Sequence, residues 1–202
     1  MTTTPHSTLT GTELHEPKGA DTAAVDKVYV SDGAGSGTWQ KLTADQLTTT
    51  GNAFGAQLLH LEDQKTSGTG GGAAFTGGWY PRIFNTTLTN EISGASIDSN
   101  NYDITLPAGT YYINALCPFF GAGNFGVRLQ NITDATTLLL GTSGAASASV
   151  TAHSLLIGRF TLSGTKILEV QYRASSAGTT GLGGASGFQT EVYSNLQIWK
   201  LA

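Results

Sequence analysis

The sequence predicts an all-β protein, a sandwich or jelly roll of short strands, on three observations. Charged residues make up only 12% of the 202 positions while glycine alone supplies 27, whereas helical surfaces normally need many Lys, Glu and Arg residues. Apolar and polar residues alternate in many short runs, as in strands with one buried face. Turn-forming Gly, Asn, Ser and Pro residues separate these runs. We therefore expect about eight to ten strands.

The N-terminal segment, residues 1–55, is rich in threonine and mostly irregular. It predicts one extended run, Lys27 to Ser31, followed by a glycine-rich turn and Trp39. A helical turn is expected over Thr43 to Leu47 and a hinge over Thr48 to Asn52. A hairpin of this size is only marginally stable alone in water. We therefore expect this segment to become ordered against a partner surface.

Residues 56–202 predict one domain made of strands. The predicted strands are Leu58 to Gln64, Tyr80 to Leu88, Tyr102 to Leu106, Thr110 to Pro118, Phe125 to Asn131, Thr137 to Leu140, Ser154 to Leu162, Ile167 to Arg173 and Thr190 to Lys200. The clearest sets expected to share a face are Phe125, Val127 and Leu129; Leu168, Val170 and Tyr172; and Val192, Leu196 and Ile198. Cys117 lies in one of these runs, where it is expected to be a small buried apolar residue.

Ten residues, Asp103 to Tyr112 (DITLPAGTYY), are the most informative stretch because they show a strand, a tight turn and a second strand in succession. Ile104 and Leu106 alternate with polar neighbours, and Pro107 to Gly109 interrupts the run. The pattern is typical of antiparallel strands with one buried face.

This motif also carries a resemblance to a known family. With NTTLTNEISGAS (Asn85 to Ser96) and EVYSNLQIWKL (Glu191 to Leu201), it resembles the C-terminal domain of bacteriophage fibre and virion surface proteins, a jelly roll similar to the trimeric C1q and tumour necrosis factor heads. The resemblance spans most of Leu59 to Leu201 and includes SLLIGRFTLSGTKILEVQYR (Ser154 to Arg173). It departs at Phe119 to Asn124 (FFGAGN), where the family often has a charged segment, so the surface of that loop is not carried over.

The resemblance implies a homotrimer in which three jelly rolls pack about a threefold axis with their N-termini on one side. LHEPKGADTAAVDKVYVSDGAGSGTWQ (Leu14 to Gln40) also resembles a short segment recurrent in phage structural proteins. The expected anchor to the virion comprises Leu14, His15, Glu16, Pro17, Lys18, Val28, Tyr29, Val30 and Trp39. Residues expected in the core or the trimer interface are Tyr111, Tyr112, Phe119, Tyr193 and Trp199.

The expected function is that of a head decoration protein or short head fibre attached to the capsid by its N-terminal segment. A long tail fibre would need a shaft of heptads or other repeats, and the sequence has none. The alternative is a short tail fibre or tail-tip receptor-binding protein that recognises host surface glycan. A third hypothesis, from another class, is a small carbohydrate-processing enzyme.

Motifs for chemistry are weak, and we expect no catalytic residue, metal ligand or cofactor. Gly121, Gly123 and Gly126 form a G-x-G-x-x-G pattern. A dinucleotide site requires a helix directly after this pattern, but the sequence predicts a strand there. The four histidines lack metal-ligand spacing. Asp98 to Asp103 offers oxygen ligands for calcium, but the same residue types are what tight turns require.

Charge and hydropathy limit the expected partners. The formal net charge is -4, which gives no basic surface for nucleic acid or for an anionic membrane. No apolar run approaches the ~18 residues needed to cross a bilayer, and the first ten residues lack the pattern of a secretory signal. The expected partners are therefore other copies of the chain and capsid or other virion proteins. The expected location is the virion, after synthesis in the host cytoplasm.

Overall fold

The computed structural model describes residues 27–31, 34, 37–41, 57–98, 100 and 102–201. The chain divides into two units, with the boundary between Phe54 and Gly55. The expected helical turn at Thr43 to Leu47, the expected hinge at Thr48 to Asn52 and the anchor residues Leu14 to Lys18 lie outside the described residues.

In the first unit the described residues form a hairpin. Strand β1 (Val28–Ser31) pairs antiparallel with β2 (Gly37–Gln40), which confirms the predicted extended run. Tyr29 lies opposite Trp39, and the two rings make an edge-on contact with centroids 5.5 Å apart. This aromatic pair stabilises the hairpin from one side, as cross-strand aromatic pairs do.

The second unit is a sandwich of two antiparallel sheets, and no helix occurs among the described residues. The five-stranded sheet has the order β12 (Thr151–Leu162), β8 (Gly109–Phe120), β14 (Glu191–Lys200), β3 (Gln57–Lys65), β5 (Thr86–Asn90). The seven-stranded sheet has the order β10 (Thr136–Leu140), β9 (Gly123–Asn131), β13 (Lys166–Ala174), β7 (Ile104–Leu106), β6 (Ser96–Ile97), with β11 (Gly144–Ala146) beside β9 and β4 (Tyr80–Pro81) beside β13.

The core lies between the sheets and is formed by alternate residues of the long strands. Phe125, Val127 and Leu129 of β9 are buried, as the alternation predicts. The rings of Phe119 and Phe125 stack with centroids 4.2 Å apart and so join the two sheets. Cys117 is fully buried in the same core, which confirms the expectation for it, and burial raises the pKa of its thiol.

The DITLPAGTYY segment contains the two predicted strands, β7 and β8, with the predicted turn between them. The strands do not pair with each other: β7 pairs with β6 and β13, whereas β8 pairs with β12 and β14. The turn therefore carries the chain from one sheet to the other. The Tyr111 hydroxyl donates a hydrogen bond to the carbonyl oxygen of Pro107 at 2.8 Å and so fixes this corner.

Two sequence predictions about the strands are wrong in detail. The run Tyr80 to Leu88 is two strands, β4 and β5, in different sheets, and the residues between them, 82–85, carry the chain from one sheet to the other. Val192 does not share a face with Leu196 and Ile198: the register shifts between Val192 and Asn195, and Val192 is exposed. A bulge adds a residue to one strand and so reverses the parity of the side chains beyond it.

Candidate interaction surfaces

The outer face of the five-stranded sheet carries exposed apolar residues, and we call this surface the five-strand face. Leu116 lies opposite Leu155, and Tyr112 opposite both Arg159 and Trp199. Exposed fractions are 37% for Leu116, 40% for Leu155, 39% for Tyr112 and 47% for Ile157. These residues alternate with fully buried neighbours on the same strands. The apolar part of the face therefore lies on β12 and β8, towards one edge of the sheet.

Polar residues occupy β14 and β3 on the same face. The Asn195 amide nitrogen lies 2.6 Å from Glu62 Oε1 and 3.0 Å from His60 Nε2, and His60 Nε2 lies 3.6 Å from Glu62 Oε1. Gln64 donates to Glu62 Oε2 at 2.8 Å. The Glu62 carboxylate thus has partners on both oxygens, so this polar cluster is held in one arrangement.

The five aromatic residues predicted for the core or the trimer interface separate into two groups. Tyr111, Phe119 and Tyr193 are buried inside the unit, and the Tyr193 hydroxyl donates to the carbonyl of Thr69 at 2.6 Å. Tyr112 and Trp199 lie together on the five-strand face with ring centroids 6.0 Å apart. Of the five, these two alone have side chains placed to meet another molecule.

A charged residue lies in the middle of the core. Arg82 is 1% exposed, donates from Nε to Ser194 Oγ at 2.9 Å and from Nη2 to the carbonyl of Leu182 at 3.3 Å, and lies over the ring of Phe119 at 5.3 Å. Its Nη1 has no hydrogen-bond partner among the described residues. Burial lowers the pKa of Arg82, and the neighbouring Cys117 and Asp63 oppose that shift.

The Asp63 carboxyl is buried near Arg82 but bonds elsewhere. Lys65 Nζ donates to Asp63 Oδ1 at 2.8 Å, and Oδ2 has no partner among the described residues. Burial raises the pKa of Asp63, and the hydrogen bond from Lys65 and the charge of Arg82 offset part of that rise. Because a guanidinium keeps its proton in a protein, the interior contains a permanent positive charge, and the nearby Asp63 carboxyl interacts with it without a direct ion pair.

Glu191 joins two glycine-rich loops at one end of the sandwich. Its carboxylate accepts hydrogen bonds from the backbone nitrogens of Gly187 at 2.7 Å, Gly68 at 3.1 Å and Ser186 at 3.0 Å, and from the Ser186 hydroxyl at 2.9 Å. The bonds from Ser186, Gly187 and Gly68 lower the pKa of Glu191 to about 2. The carboxylate therefore links the loop at Gly68 to the loop at Ser186 and Gly187.

A groove of about 750 Å³ lies on the outer face of the seven-stranded sheet, and we call it the Trp79 groove. Arg173, Asn124 and Gly126 of β13 and β9 form part of its lining, with Trp79, Ser143 and Ser175 around them. The Arg128 guanidinium lies over the Trp79 ring at 4.3 Å. Arg128 also donates from Nε to Gln171 Oε1 at 2.9 Å. The Trp79 ring therefore packs against a guanidinium that a hydrogen bond holds in place.

Sequence reasoning missed the groove, Arg82 and Asp63. The alternation of β9 correctly puts Asn124, Gly126 and Arg128 on the face opposite Phe125. The approach of Trp79 to Arg128 depends on the pairing of both β4 and β9 with β13, which periodicity does not reveal. Arg82 stands in an apolar context, Pro81 to Phe84, and a cation inside such a run is the signal that could have identified it.

The described ranges contain no group of three or more His, Cys, Asp and Glu side chains arranged to hold a metal ion. They also contain no helix long and apolar enough to span a bilayer.

Comparisons with known proteins show the fold. No protein-family model and no curated protein matches the chain. The globular domain of zebrafish complement 1qA protein superposes with a TM-score of 0.50 at 16% identity, over 73% of this chain and 98% of that one. Murine APRIL (TM-score 0.48, 14% identity, 73% and 100%) and Eiger TNF from S. frugiperda (0.48, 11%, 73% and 93%) are further solved structures to which the chain is similar. The superposition on the zebrafish domain and the two antiparallel sheets show that the second unit is a C1q/TNF-like jelly roll, as the sequence predicts.

Proposed function

We propose that the chain is a non-enzymatic structural protein of a bacteriophage virion, a trimeric head decoration protein or short head fibre. In this proposal the jelly roll is the knob, and residues 1–55 attach it to the capsid. The observation that carries the proposal is the five-strand face, an apolar surface on a domain whose core is already complete. The motifs from Leu59 to Leu201 that resemble phage virion proteins support the proposal that the chain is part of a virion.

The five-strand face is suited to a second copy of the same domain. It carries exposed aliphatic side chains and the pair of exposed Tyr112 and half-buried Trp199, and aromatic residues are enriched in the cores of protein interfaces. Contiguous apolar patches on a soluble monomer commonly mark interaction sites. A contact between two different patches closes into a ring when the rotation between copies is suitable. Three copies about a threefold axis would place the polar cluster of His60, Glu62 and Asn195 beside the apolar contacts.

The assembly is tested by measuring the molar mass of the full chain by light scattering. The wild type is expected to have three times the mass of the protomer. Leu155→Lys on the five-strand face should shift the mass toward the monomer. Leu140→Lys is the matched control, because Leu140 is 73% exposed on β10 of the other sheet and should leave the mass unchanged. A monomeric wild type at micromolar concentration contradicts the trimer.

The anchor is tested by deleting residues 1–47 and mixing the truncated chain with virions that lack this protein. The truncated chain should remain a folded trimer but no longer bind the particles, whereas the full chain binds. Labels on the C-terminus of the bound full chain should appear around the head in electron micrographs. Binding of the truncated chain to the particles would contradict the anchor proposal.

A second candidate function is a short tail fibre or tail-tip receptor-binding protein that recognises host surface glycan. The observation that favours it is the Trp79 groove, since concave sites with a few convergent polar groups are typical of ligand binding. Labels at the tail in the same micrographs, or binding of the isolated chain to host cells, would favour this candidate over the first.

A further inference from the structure

Gly126 leaves space in the middle of the Trp79 groove. On the outer face of β9, Gly126 lies between Asn124 and Arg128, and it is opposite Arg173 of β13. A Cβ atom built on Gly126 would meet no heavy atom within 4 Å. A side chain at this position would therefore begin in open space and occupy part of the groove that Gly126 lines.

The charge of the groove has one sign. Arg173 is exposed and makes no ion pair or side-chain hydrogen bond with any residue that the structure describes. The lining contains no Asp or Glu. An exposed guanidinium presents several N–H donors in a planar fork that matches a carboxylate. The groove is therefore complementary to a ligand that carries a carboxylate.

Trp79 supplies an apolar wall of fixed orientation. Arg128 covers one side of the indole at 4.3 Å, and Arg128 itself is held by Gln171 Oε1 at 2.9 Å and by Thr137 Oγ1 at 3.3 Å. Thr137 also donates to Gln130 Oε1 at 2.7 Å. A ring supported in this way loses little conformational freedom when a ligand packs against it. Flat apolar faces of a ligand can stack on such a ring.

The rim is made of small hydroxyl and amide groups. Thr76, Ser143 and Ser175 line the groove together with Asn124. Ser175 Oγ accepts a hydrogen bond from the Asn124 backbone nitrogen at 2.8 Å, and its hydroxyl hydrogen remains able to donate. Such groups offer donors and acceptors to a ligand with many hydroxyls, and the volume is within the usual range of about 300–1,000 Å³ for small-molecule sites.

We propose that the Trp79 groove binds an acidic saccharide, with its carboxylate on Arg173 and the apolar face of a sugar ring against Trp79. The hydroxyl-rich rim distinguishes this ligand from an acidic peptide, which offers a carboxylate but few hydroxyls. The biological role of this site rests on the receptor-binding candidate above. The binding itself does not depend on where the protein lies in a particle.

The test uses the full chain and two matched pairs of probes: sialyllactose with lactose, and a galacturonic acid trimer with its methyl ester. Binding is measured by ligand-observed NMR and calorimetry at concentrations up to about 10 mM. At least one acidic probe should bind at least about tenfold more tightly than its neutral partner, because charge-assisted hydrogen bonds are the stronger ones. Higher ionic strength should weaken this binding, since Arg173 is exposed.

Two variants, each with a matched control, locate the site. Arg173→Gln should weaken binding of the acidic probe about tenfold, whereas Lys200→Gln on the five-stranded sheet removes the same charge and should leave binding unchanged. Gly126→Leu should abolish binding by filling the groove. Gly164→Leu is its control, because a Cβ on Gly164 also meets nothing within 4 Å but lies in the turn after β12.

Several results would overturn the proposal: no binding of either acidic probe, equal binding of acidic and neutral partners, or acidic binding that survives both Arg173→Gln and Gly126→Leu. Equal or tighter binding of a polyglutamate peptide would also overturn it, in favour of a peptide site. The molar mass is measured on the same samples. The molar mass reports whether the chain forms a trimer, and the binding measurements report whether the groove binds an acidic saccharide, so the two proposals can fail independently.

Discussion

Replacement of Arg82 tests the most unusual feature of the core, a fully buried guanidinium. Arg82→Met preserves much of the side-chain length and removes the charge and the donors. It leaves Ser194 Oγ and the carbonyl of Leu182 without the partners they have at 2.9 Å and 3.3 Å. It also leaves the buried carboxylate of Asp63 with Lys65 as its remaining cation in the described structure.

The expected magnitude follows from those losses. An acceptor left unsatisfied in the interior costs about 1–3 kcal/mol, and the loss of one partner of a buried charge pair costs about 3–5 kcal/mol in total. Methionine would recover some apolar packing against Phe119 and Tyr172, which Arg82 now covers at 5.3 Å and 5.8 Å. We expect Arg82→Met to lower the free energy of unfolding by about 3 kcal/mol.

The assay is urea unfolding followed by fluorescence at one fixed protomer concentration, because oligomerisation changes apparent stability. Arg173→Met is the control: the same substitution at an exposed arginine should change stability by less than about 0.5 kcal/mol. A double-mutant cycle adds Asp63→Asn and the combination. If the two charges balance each other, the double variant should be less destabilised than the sum of the single variants by about 1 kcal/mol.

Two results would refute this reasoning. One is an Arg82→Met variant as stable as the wild type, which would mean that the desolvation of the guanidinium outweighs its hydrogen bonds and ring contacts. The other is an additive cycle, which would mean that Asp63 and Arg82 do not interact despite their common burial.

Two further predictions concern pH and backbone geometry. The pKa of folded Glu191 is about 2, whereas a free glutamate titrates near about 4.3, so the stability that the Glu191 carboxylate contributes is complete above about pH 5 and is lost as pH falls toward 2. The urea midpoints of wild type and Glu191→Gln should therefore differ at neutral pH and converge at acidic pH. A difference that stays constant with pH would contradict this reasoning. Gly123 has φ +66°, and a Cβ there would lie 2.3 Å from Ser175 Oγ, so Gly123→Ala should lower the free energy of unfolding by about 1–2 kcal/mol. Gly126→Ala has open space around the new Cβ and should be neutral or stabilising. Equal thermal midpoints for the two variants would contradict the strain argument.

The fold could be predicted from local sequence patterns because each long strand carries its own signal. The alternation of β9 and β13 specifies which residues enter the core, and both strands occur where the pattern predicts them. Short strands such as β6 and β11 have two and three residues, too few for a period of two to be recognised. The Val192 error has the same origin, since a bulge changes the parity without a clear sign in the residues.

Candidate sites were harder to predict because they depend on contacts between strands distant in sequence. Tyr112 and Trp199 are 87 positions apart, yet the pairing of β8 with β14 places them side by side. Arg128 and Trp79 meet although β13 separates β9, which carries Arg128, from β4, which Trp79 directly precedes. Composition identifies these aromatic residues as available for a core or an interface, but the sheet order decides which of the two each one joins.

The two candidate surfaces can act independently because they lie on opposite outer faces of one sandwich. Within each strand, alternate residues point into the common core, so the remaining residues of the two sheets face in opposite directions. The five-strand face presents Leu116, Leu155 and their apolar neighbours, whereas the other sheet presents the groove with Arg173 and Trp79. A second copy packed on the first surface leaves the second open when the patch that closes the ring lies outside the groove. Self-association and ligand binding are therefore compatible in one assembly, and substitutions on one face should leave the function of the other unchanged.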